Sequence, residues 1–93
     1  MIIAAAIKFR INHNEVILCG VRHGDIFKQI ELMGFKYDED AIEIEDGFVT
    51  HTGNFLDRVS AYAHALYCGQ LPAKIRYERE KDTNYKLISE DLW

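Results

Sequence analysis

Residues 2–19 read IIAAAIKF-RINHN-EVILC, two short apolar segments separated by a mostly polar connection. The connection, residues 10–14, has the length of a hairpin loop, so residues 2–9 and 15–19 are predicted to form an antiparallel pair of strands. The alanines at positions 4–6 are poor strand formers. Their small side chains would, however, let a helix or a second subunit approach the sheet closely.

The length and composition of the chain indicate one globular domain spanning residues 1–93. Hydrophobic residues make up 48% and charged residues 28% of the chain, which is ordinary globular usage. A domain this short hides only roughly 60–65% of the surface of its unfolded chain, so its stability is expected to be marginal. Association of several copies would bury more surface and raise this stability, and we expect a homodimer or a higher homo-oligomer.

The net charge of −4 excludes some classes of partner. Proteins that bind polymeric DNA or RNA usually present a basic face, and we predict no such partner here. A small anionic ligand stays possible, because two or three arginine or backbone N–H groups can hold one phosphate.

The sequence also indicates a protein that stays in the cytoplasm. Lys8 and Arg10 interrupt the apolar beginning, no basic region leads it, and no stretch approaches the ~20 apolar residues that cross a bilayer. We therefore predict no signal peptide and no membrane partner. Cys19 and Cys68 could form one disulfide, but they fall in a strand pattern and a helix pattern, and we expect buried free thiols.

Two helices are predicted from apolar residues that recur every three or four positions. The first starts near Asp25, whose carboxylate can cap its first turn, and stops at Gly34. The second starts near Asp57 and stops at Gly69, with Pro72 just beyond. The predicted apolar faces are Ile26, Phe27, Ile30 and Met33 in the first helix and Val59, Tyr62, Ala63 and Leu66 in the second.

The remaining segments complete an α+β fold, in which a small antiparallel sheet packs with two main helices. Residues 37–46 carry six acids and read as a solvated acidic loop leading into an edge strand. A cation site is the alternative, although the spacing of a calcium loop is absent. Residues 47–50 predict a short strand or bend, 74–81 an exposed strand or loop, and 85–88 a last short strand.

No catalytic or metal motif is found. The histidines at positions 13, 23, 51 and 64 have no ligand-like spacing, because Cys68 lies four residues after His64 but no second pair completes a set. A phosphate-binding glycine loop and a nucleophilic-serine turn are both missing. We therefore predict no metal, no cofactor and no catalytic residue, and no enzyme. His23, beside Arg22, is the one candidate for a phosphodiesterase acid.

Planar cations and aromatic rings occur together in segments predicted to lead into the two helices. Arg22 and His23 precede the first helix, while Phe48, Asn54 and Arg58 precede the second or begin it. A guanidinium group can fork onto phosphate oxygens, and a ring can stack on a base for about 1–3 kcal/mol. Each residue also has a structural explanation: a phenylalanine in the core, an arginine paired with an acid, an asparagine in a turn.

Several sequence blocks together resemble a phage-encoded family that includes the first-described Thoeris anti-defence proteins. The blocks are AAAIKF at 4–9, RH-x-DI at 22–26, GFVT at 47–50, G-x-F-x-DR at 53–58, AYAHA at 61–65, GQ at 69–70 and SEDL at 89–92. The resemblance implies a sponge that binds cyclic ADP-ribose isomers or cyclic oligonucleotides in the host cell cytoplasm without cleaving them. It implies ligand binding by Arg22, Phe48, Asn54 and Arg58, with His23 and Gln70 in support.

Two other functions fit the sequence. One is an enzyme that hydrolyses the nucleotide with His23 and the carboxylates of residues 38–46. The other is an inhibitor that blocks a host or phage protein through an aromatic, acidic surface around Tyr37 or Trp93.

Overall fold

A computed structural model describes residues 1–72 and 86–93 of the chain. The elements are β1 (Ile2–Ile11), β2 (Asn14–Gly20), α1 (His23–Leu32), β3 (Ala41–Thr50), β4 (Phe55–Asp57), α2 (Arg58–Tyr67) and a short 3₁₀ helix (Ser89–Asp91). The four strands form one antiparallel sheet in the order β2-β1-β3-β4. The predicted α+β class is confirmed. No helix in the described ranges is long and apolar enough to cross a membrane.

The first two strands form the predicted hairpin, and its turn is tighter than expected. Asn12 and His13 have φ values of 51° and 69°, and the pair Ile11↔Asn14 closes the loop. Two consecutive left-handed residues are typical of a type I′ turn, whose twist matches that of the strands. The connection therefore has two residues instead of five, and Arg10 belongs to β1.

Strand β1 lies at the centre of the fold. It pairs with β2 on one side and with β3 on the other. Its side chains on one face, together with both helices, form the core. We call this the helix face of the sheet and the opposite side the outer face. The core residues of β1 and the helices are Ile2, Ala5, Ile7, Phe9, Ile11, Ile26, Ile30, Ala61, Tyr62 and Ala65.

Residues 37–50 were predicted to form separate elements, and this prediction was wrong. The predicted edge strand and the predicted bend are one ten-residue strand, β3, which pairs with β1 along its length. The pairing shifts register between Lys8 and Phe9, opposite Glu43 and Glu45, where the alternation of the sequence also breaks. This irregularity, caused by an extra residue in β3, hid the strand from a pattern of period two.

A glycine is required where β3 meets β4. A Cβ atom at Gly47 would lie 2.0 Å from the carbonyl oxygen of Leu56 and 3.0 Å from the ring of Phe55. Contacts this short do not occur in proteins, and the nearer one is with backbone, which no side-chain rotation relieves. Strand β4 can therefore approach β3 only because residue 47 has no side chain.

Both helices end as the sequence predicts. Gly34 and Gly69 have φ values of 87° and 68°, the left-handed conformation that terminates helices with little strain in glycine. The helix starts differ from each other. Asp57 caps α2 by accepting a 2.7 Å hydrogen bond from the backbone N–H of Ser60. Asp25 lies inside the first turn of α1 and does not cap it, because α1 already begins at His23.

The predicted apolar face of α2 was wrong in part. Tyr62 is buried as predicted, but the other buried residues are Ala61 and Ala65. Val59, Ala63 and Leu66 are exposed. Two alanines let the helix backbone lie close to the sheet, whereas the prediction followed the larger side chains.

Three further predictions of burial were wrong. Met33 is exposed, since α1 ends before it. Cys19 and Cys68 are free thiols as expected, but both are exposed. Cys19 has its side chain on the outer face of the sheet, and Cys68 is the C-cap of α2.

Candidate functional site

The candidate site lies where both helices begin and where the C-terminal segment, residues 86–93, passes over their first turns. Arg22 and His23 are at the start of α1, and Arg58 is the first residue of α2. Phe48 lies between them on β3. The structure brings these four predicted site residues together, whereas Asn54 and Gln70 contact Thr50 and Ile2, beyond Phe48 at the C-terminal end of β3.

Arg58 is held by the protein itself. Its Nε and Nη2 donate to the two carboxylate oxygens of Asp46, at 2.8 and 3.3 Å, and its Nη1 donates to the backbone oxygen of Leu87 at 2.7 Å. The side chain is only 19% exposed. The hydrogen bonds from Arg58 hold the pKa of Asp46 below its ordinary value. Arg58 therefore joins α2 to β3 and to the C-terminal segment.

The cleft next to Arg58 is acidic. It has a volume of about 260 Å³ and is lined by Glu45, Asp46, Asp57, Arg58, Val59 and Lys86. Three carboxylates outweigh two cations here, and Asp46 already neutralises Arg58. The pKa of Asp57 is also lowered, by the backbone N–H that it caps. Among the described residues, this excess of carboxylates disfavours a phosphate in the cleft.

Arg22 is held more loosely. Its Nη1 lies 3.3 Å from a carboxylate oxygen of Glu90, and its Nη2 donates to the backbone oxygen of Trp93. The arginine side chain is 39% exposed and that of Glu90 59%, so this ion pair contributes little stability. The Nε of Arg22 is buried and has no acceptor among the described residues. One donor of this guanidinium group is thus unsatisfied.

His23 is a hydrogen-bond donor to β3. Its Nε2 lies 2.7 Å from the backbone oxygen of Gly47, and because a carbonyl only accepts, Nε2 carries the proton. Burial lowers the pKa of His23 and outweighs the opposing effect of this hydrogen bond. Its ring meets Phe48 edge to face with centroids 5.1 Å apart. His23 therefore connects the start of α1 to β3.

Phe48 is fully buried in the core, so its ring offers no surface to a ligand. The accessible ring near Arg22 belongs to Trp93, which is 39% exposed. Trp93 borders an apolar pocket of about 350 Å³ whose other lining residues are Ile3, Ala4, Cys19, Gly20 and Val21. Arg22 does not line this pocket, but it follows the lining residue Val21 directly and binds the backbone of the lining residue Trp93.

The sequence assigned Trp93 only to a protein-binding surface. It lies 71 residues after Arg22, and no local pattern in the sequence connects the two. Only the tertiary fold reveals that they are neighbours.

Asn54 and Gln70 have structural partners. The side-chain amide of Asn54 donates to Thr52 at 3.1 Å, and its backbone N–H lies 3.3 Å from the hydroxyl of Thr50, as expected of a turn residue. The amide of Gln70 exchanges two hydrogen bonds with the backbone of Ile2, at 2.9 and 2.7 Å. These contacts fix the beginning of β1 to the end of α2.

Within residues 1–72 and 86–93, no three histidine, cysteine or acidic side chains are arranged to hold a metal ion.

Fold and site together define a small α+β domain with an apolar pocket that Trp93 lines, and Arg22 binds the backbone of Trp93 next to it. The family model of the phage T4 y16D protein matches residues 1–93, and the chain therefore belongs to this family of phage proteins. No curated protein and no solved structure matches the chain. The phage class implied by the sequence resemblance is confirmed, and the narrower resemblance to nucleotide sponges stays a prediction.

Proposed function

We propose that this phage protein binds a small cyclic nucleotide and withholds it from other proteins without cleaving it. The observation that supports this proposal is the apolar pocket lined by Val21 and Trp93, next to Arg22, which binds the backbone of Trp93. A cyclic ADP-ribose isomer or a cyclic oligonucleotide combines the two features that such a pocket recognises, a flat base and a phosphate.

The chemistry of the pocket suits both parts of such a ligand. Its volume of about 350 Å³ lies in the range of small-molecule sites, and most of its lining is apolar. A base stacked on Trp93 would contribute about 1–3 kcal/mol. A phosphate would replace Glu90 as the partner of the Nη1 group of Arg22. This exchange is easy because the Arg22–Glu90 pair is largely exposed.

Binding without turnover is favoured by the state of His23. A hydrolytic enzyme needs a group placed to accept or donate a proton at the ligand. The Nε2 proton of His23 is committed to the backbone of Gly47, and the nearby carboxylate of Asp46 is committed to Arg58. Sequestration requires only affinity and slow release.

Calorimetry and native mass spectrometry with a panel of cyclic ADP-ribose isomers and cyclic di- and trinucleotides test the proposal. We expect one of them to bind and to be recovered intact after heat release. Arg22→Gln should weaken that binding at least tenfold, since it removes a charged hydrogen-bond donor. Arg10→Gln is the matched control, because Arg10 is exposed at the other end of β1.

Two results would overturn the proposal. One is the absence of binding to every member of the panel. The other is equal binding by wild type and Arg22→Gln. Recovery of an opened product would instead support the hydrolase alternative.

A second candidate function is inhibition of another protein. The observation that favours it is the group of exposed apolar side chains around the same pocket, Ile3, Val21 and Trp93. Large exposed apolar groups that lie together often mark a protein interface. If this candidate is right, replacing Arg22 by alanine will leave the inhibitory activity and the fold intact. Loss of activity in the folded variant would favour the nucleotide.

A further inference from the structure

We propose that the open edge of β2 pairs with the same edge of a second copy of this chain, so that two four-stranded sheets join into one. The edge consists of Glu15 and Ile17, with Val16 on the two-fold axis between the copies. This proposal does not depend on nucleotide binding. It specifies the contact of the homodimer that the small size of the chain leads us to expect.

The backbone groups available at this edge follow from the hairpin. A two-residue loop is closed by a pair that exchanges both hydrogen bonds, here Ile11 and Asn14. Hydrogen bonding then alternates along the strand, so Glu15 and Ile17 direct both N–H and C=O away from β1. In the described part of the sheet, β2 is the outermost strand on that side.

An independent contact agrees with this alternation and limits the possible registers. Gln29 of α1 donates to the backbone oxygen of Cys19 at 2.8 Å. The backbone C=O of Cys19, two residues after Ile17, is therefore also directed away from β1. It also shows that α1 occupies this end of the edge. Of the two-fold pairings that leave Gln29 in place, the one centred on Val16 forms the most backbone hydrogen bonds, and it sets Glu15 opposite Ile17 of the second copy. This arrangement forms four backbone hydrogen bonds.

The side chains on the outer face are compatible with this pairing. Like charges directly opposite each other destabilise a sheet. In this register Glu15 would face an uncharged isoleucine, so that repulsion does not arise. Its own neighbour on β1 is Arg10, and the neighbour of Ile17 is Lys8. In the dimer, the carboxylate of each Glu15 would therefore be surrounded by basic and apolar side chains. Ile17 is 43% exposed in the single chain and would be covered by the second copy.

Natural proteins usually protect an open edge with lysine, proline or a bulge. Strand β2 reads NEVILCG and pairs with β1 without a register shift, so it has none of these devices. Antiparallel addition of an identical strand is a common way to satisfy such an edge. The two copies of the Arg22–Trp93 pocket would then lie on either side of the axis, because β2 leads directly to Gly20 and Val21.

Light scattering over a range of protein concentrations tests the dimer. The chain has a mass of 10.8 kDa, and we expect twice this mass at high concentration. Ile17→Glu places an acid opposite Glu15 and should raise the dimer dissociation constant by roughly tenfold. Adding Glu15→Lys to Ile17→Glu should restore association, because opposite charges then face each other in this register. Ile42→Glu is the control, since Ile42 is a similarly exposed outer-face residue of β3.

A cross-link tests the register without relying on charge. Val16 would face its own copy in a pair that is not hydrogen bonded, with Cα atoms about 4.5 Å apart, a distance that a disulfide can bridge. In a Cys19→Ser and Cys68→Ser background, we expect Val16→Cys to form a covalent dimer on mild oxidation. Ile17→Cys in the same background should not, because Ile17 faces Glu15.

A mass of one chain at every concentration would overturn the proposal, as would a dimer that is unaffected by Ile17→Glu and not cross-linked by Val16→Cys. These outcomes are separate from those of the nucleotide test. A monomer that binds the ligand refutes only the edge contact, and a dimer that binds no ligand refutes only the proposed function.

Discussion

Replacing Gly47 by alanine should separate β4 from β3. The new methyl group would lie 2.0 Å from the carbonyl oxygen of Leu56, so the backbone of β4 must move by more than 1 Å to reach ordinary contact. Strand β4 has only three residues, paired with Gly47, Phe48 and Val49. Because it is short, we expect it to detach as a unit.

The expected cost can be worked out from what is lost. Two or three backbone hydrogen bonds at about 1 kcal/mol each, and partial exposure of Leu56, together reduce the free energy of unfolding by about 3 kcal/mol. Urea unfolding measures this loss. With a slope near 1–1.5 kcal/mol/M, the midpoint should fall by about 2–3 M.

The chain contains a matched control. Gly24 lies in α1, and a Cβ there would meet nothing within 4 Å. Gly24→Ala should therefore raise stability slightly, by about 0.5 kcal/mol, because alanine favours a helix. If Gly47→Ala unfolds within 0.5 kcal/mol of wild type, β4 does not pack against β3 as described.

Three further predictions concern single contacts. Asp57→Ala removes the cap that binds the N–H of Ser60 and should cost about 1 kcal/mol, measured by urea unfolding. Asp46→Asn should cost about 1–2 kcal/mol at pH 7, because it weakens the pair with Arg58, which is partly exposed. The pKa of Asp46 is lowered in the folded protein. The stability lost in Asp46→Asn should therefore be complete above the ordinary pKa of 3.8 and should disappear as the pH falls through the folded pKa. Equal losses of stability at pH 7 and pH 2 would contradict the pairing of Asp46 with Arg58. His13→Gly should raise the thermal midpoint by relieving a φ of 69°, and a lower midpoint would argue against the type I′ turn.

The parts of the fold that depend on local chemistry could be predicted from the sequence. The hairpin follows from two apolar segments around a polar connection, and the helix ends follow from Gly34 and Gly69, which adopt the left-handed conformation. The start of α2 follows from a carboxylate at Asp57 that can accept a backbone hydrogen bond. Each of these features depends on residues close together in the chain.

The parts that depend on distant residues could not be predicted. Arg58 and Phe48 were proposed as ligand contacts, but Arg58 pairs with Asp46 and Phe48 packs in the core. The sequence admits both roles for an arginine or a phenylalanine, and the choice depends on which elements are neighbours. The same limitation applies to Trp93, whose contact with Arg22 exists only after folding.

The central position of β1 has a consequence for the order of folding. Its pairing with β2 needs only a two-residue turn, whereas its pairing with β3 must bring Ile11 to Ala41 across a 29-residue connection that includes β2 and α1. Hairpins form in about 1–10 μs, and closure of longer loops has a greater entropic cost. The pairing of β3 with β1 should therefore limit the folding rate. The β1–β2 hairpin should form first, and the rest of the sheet should assemble on it.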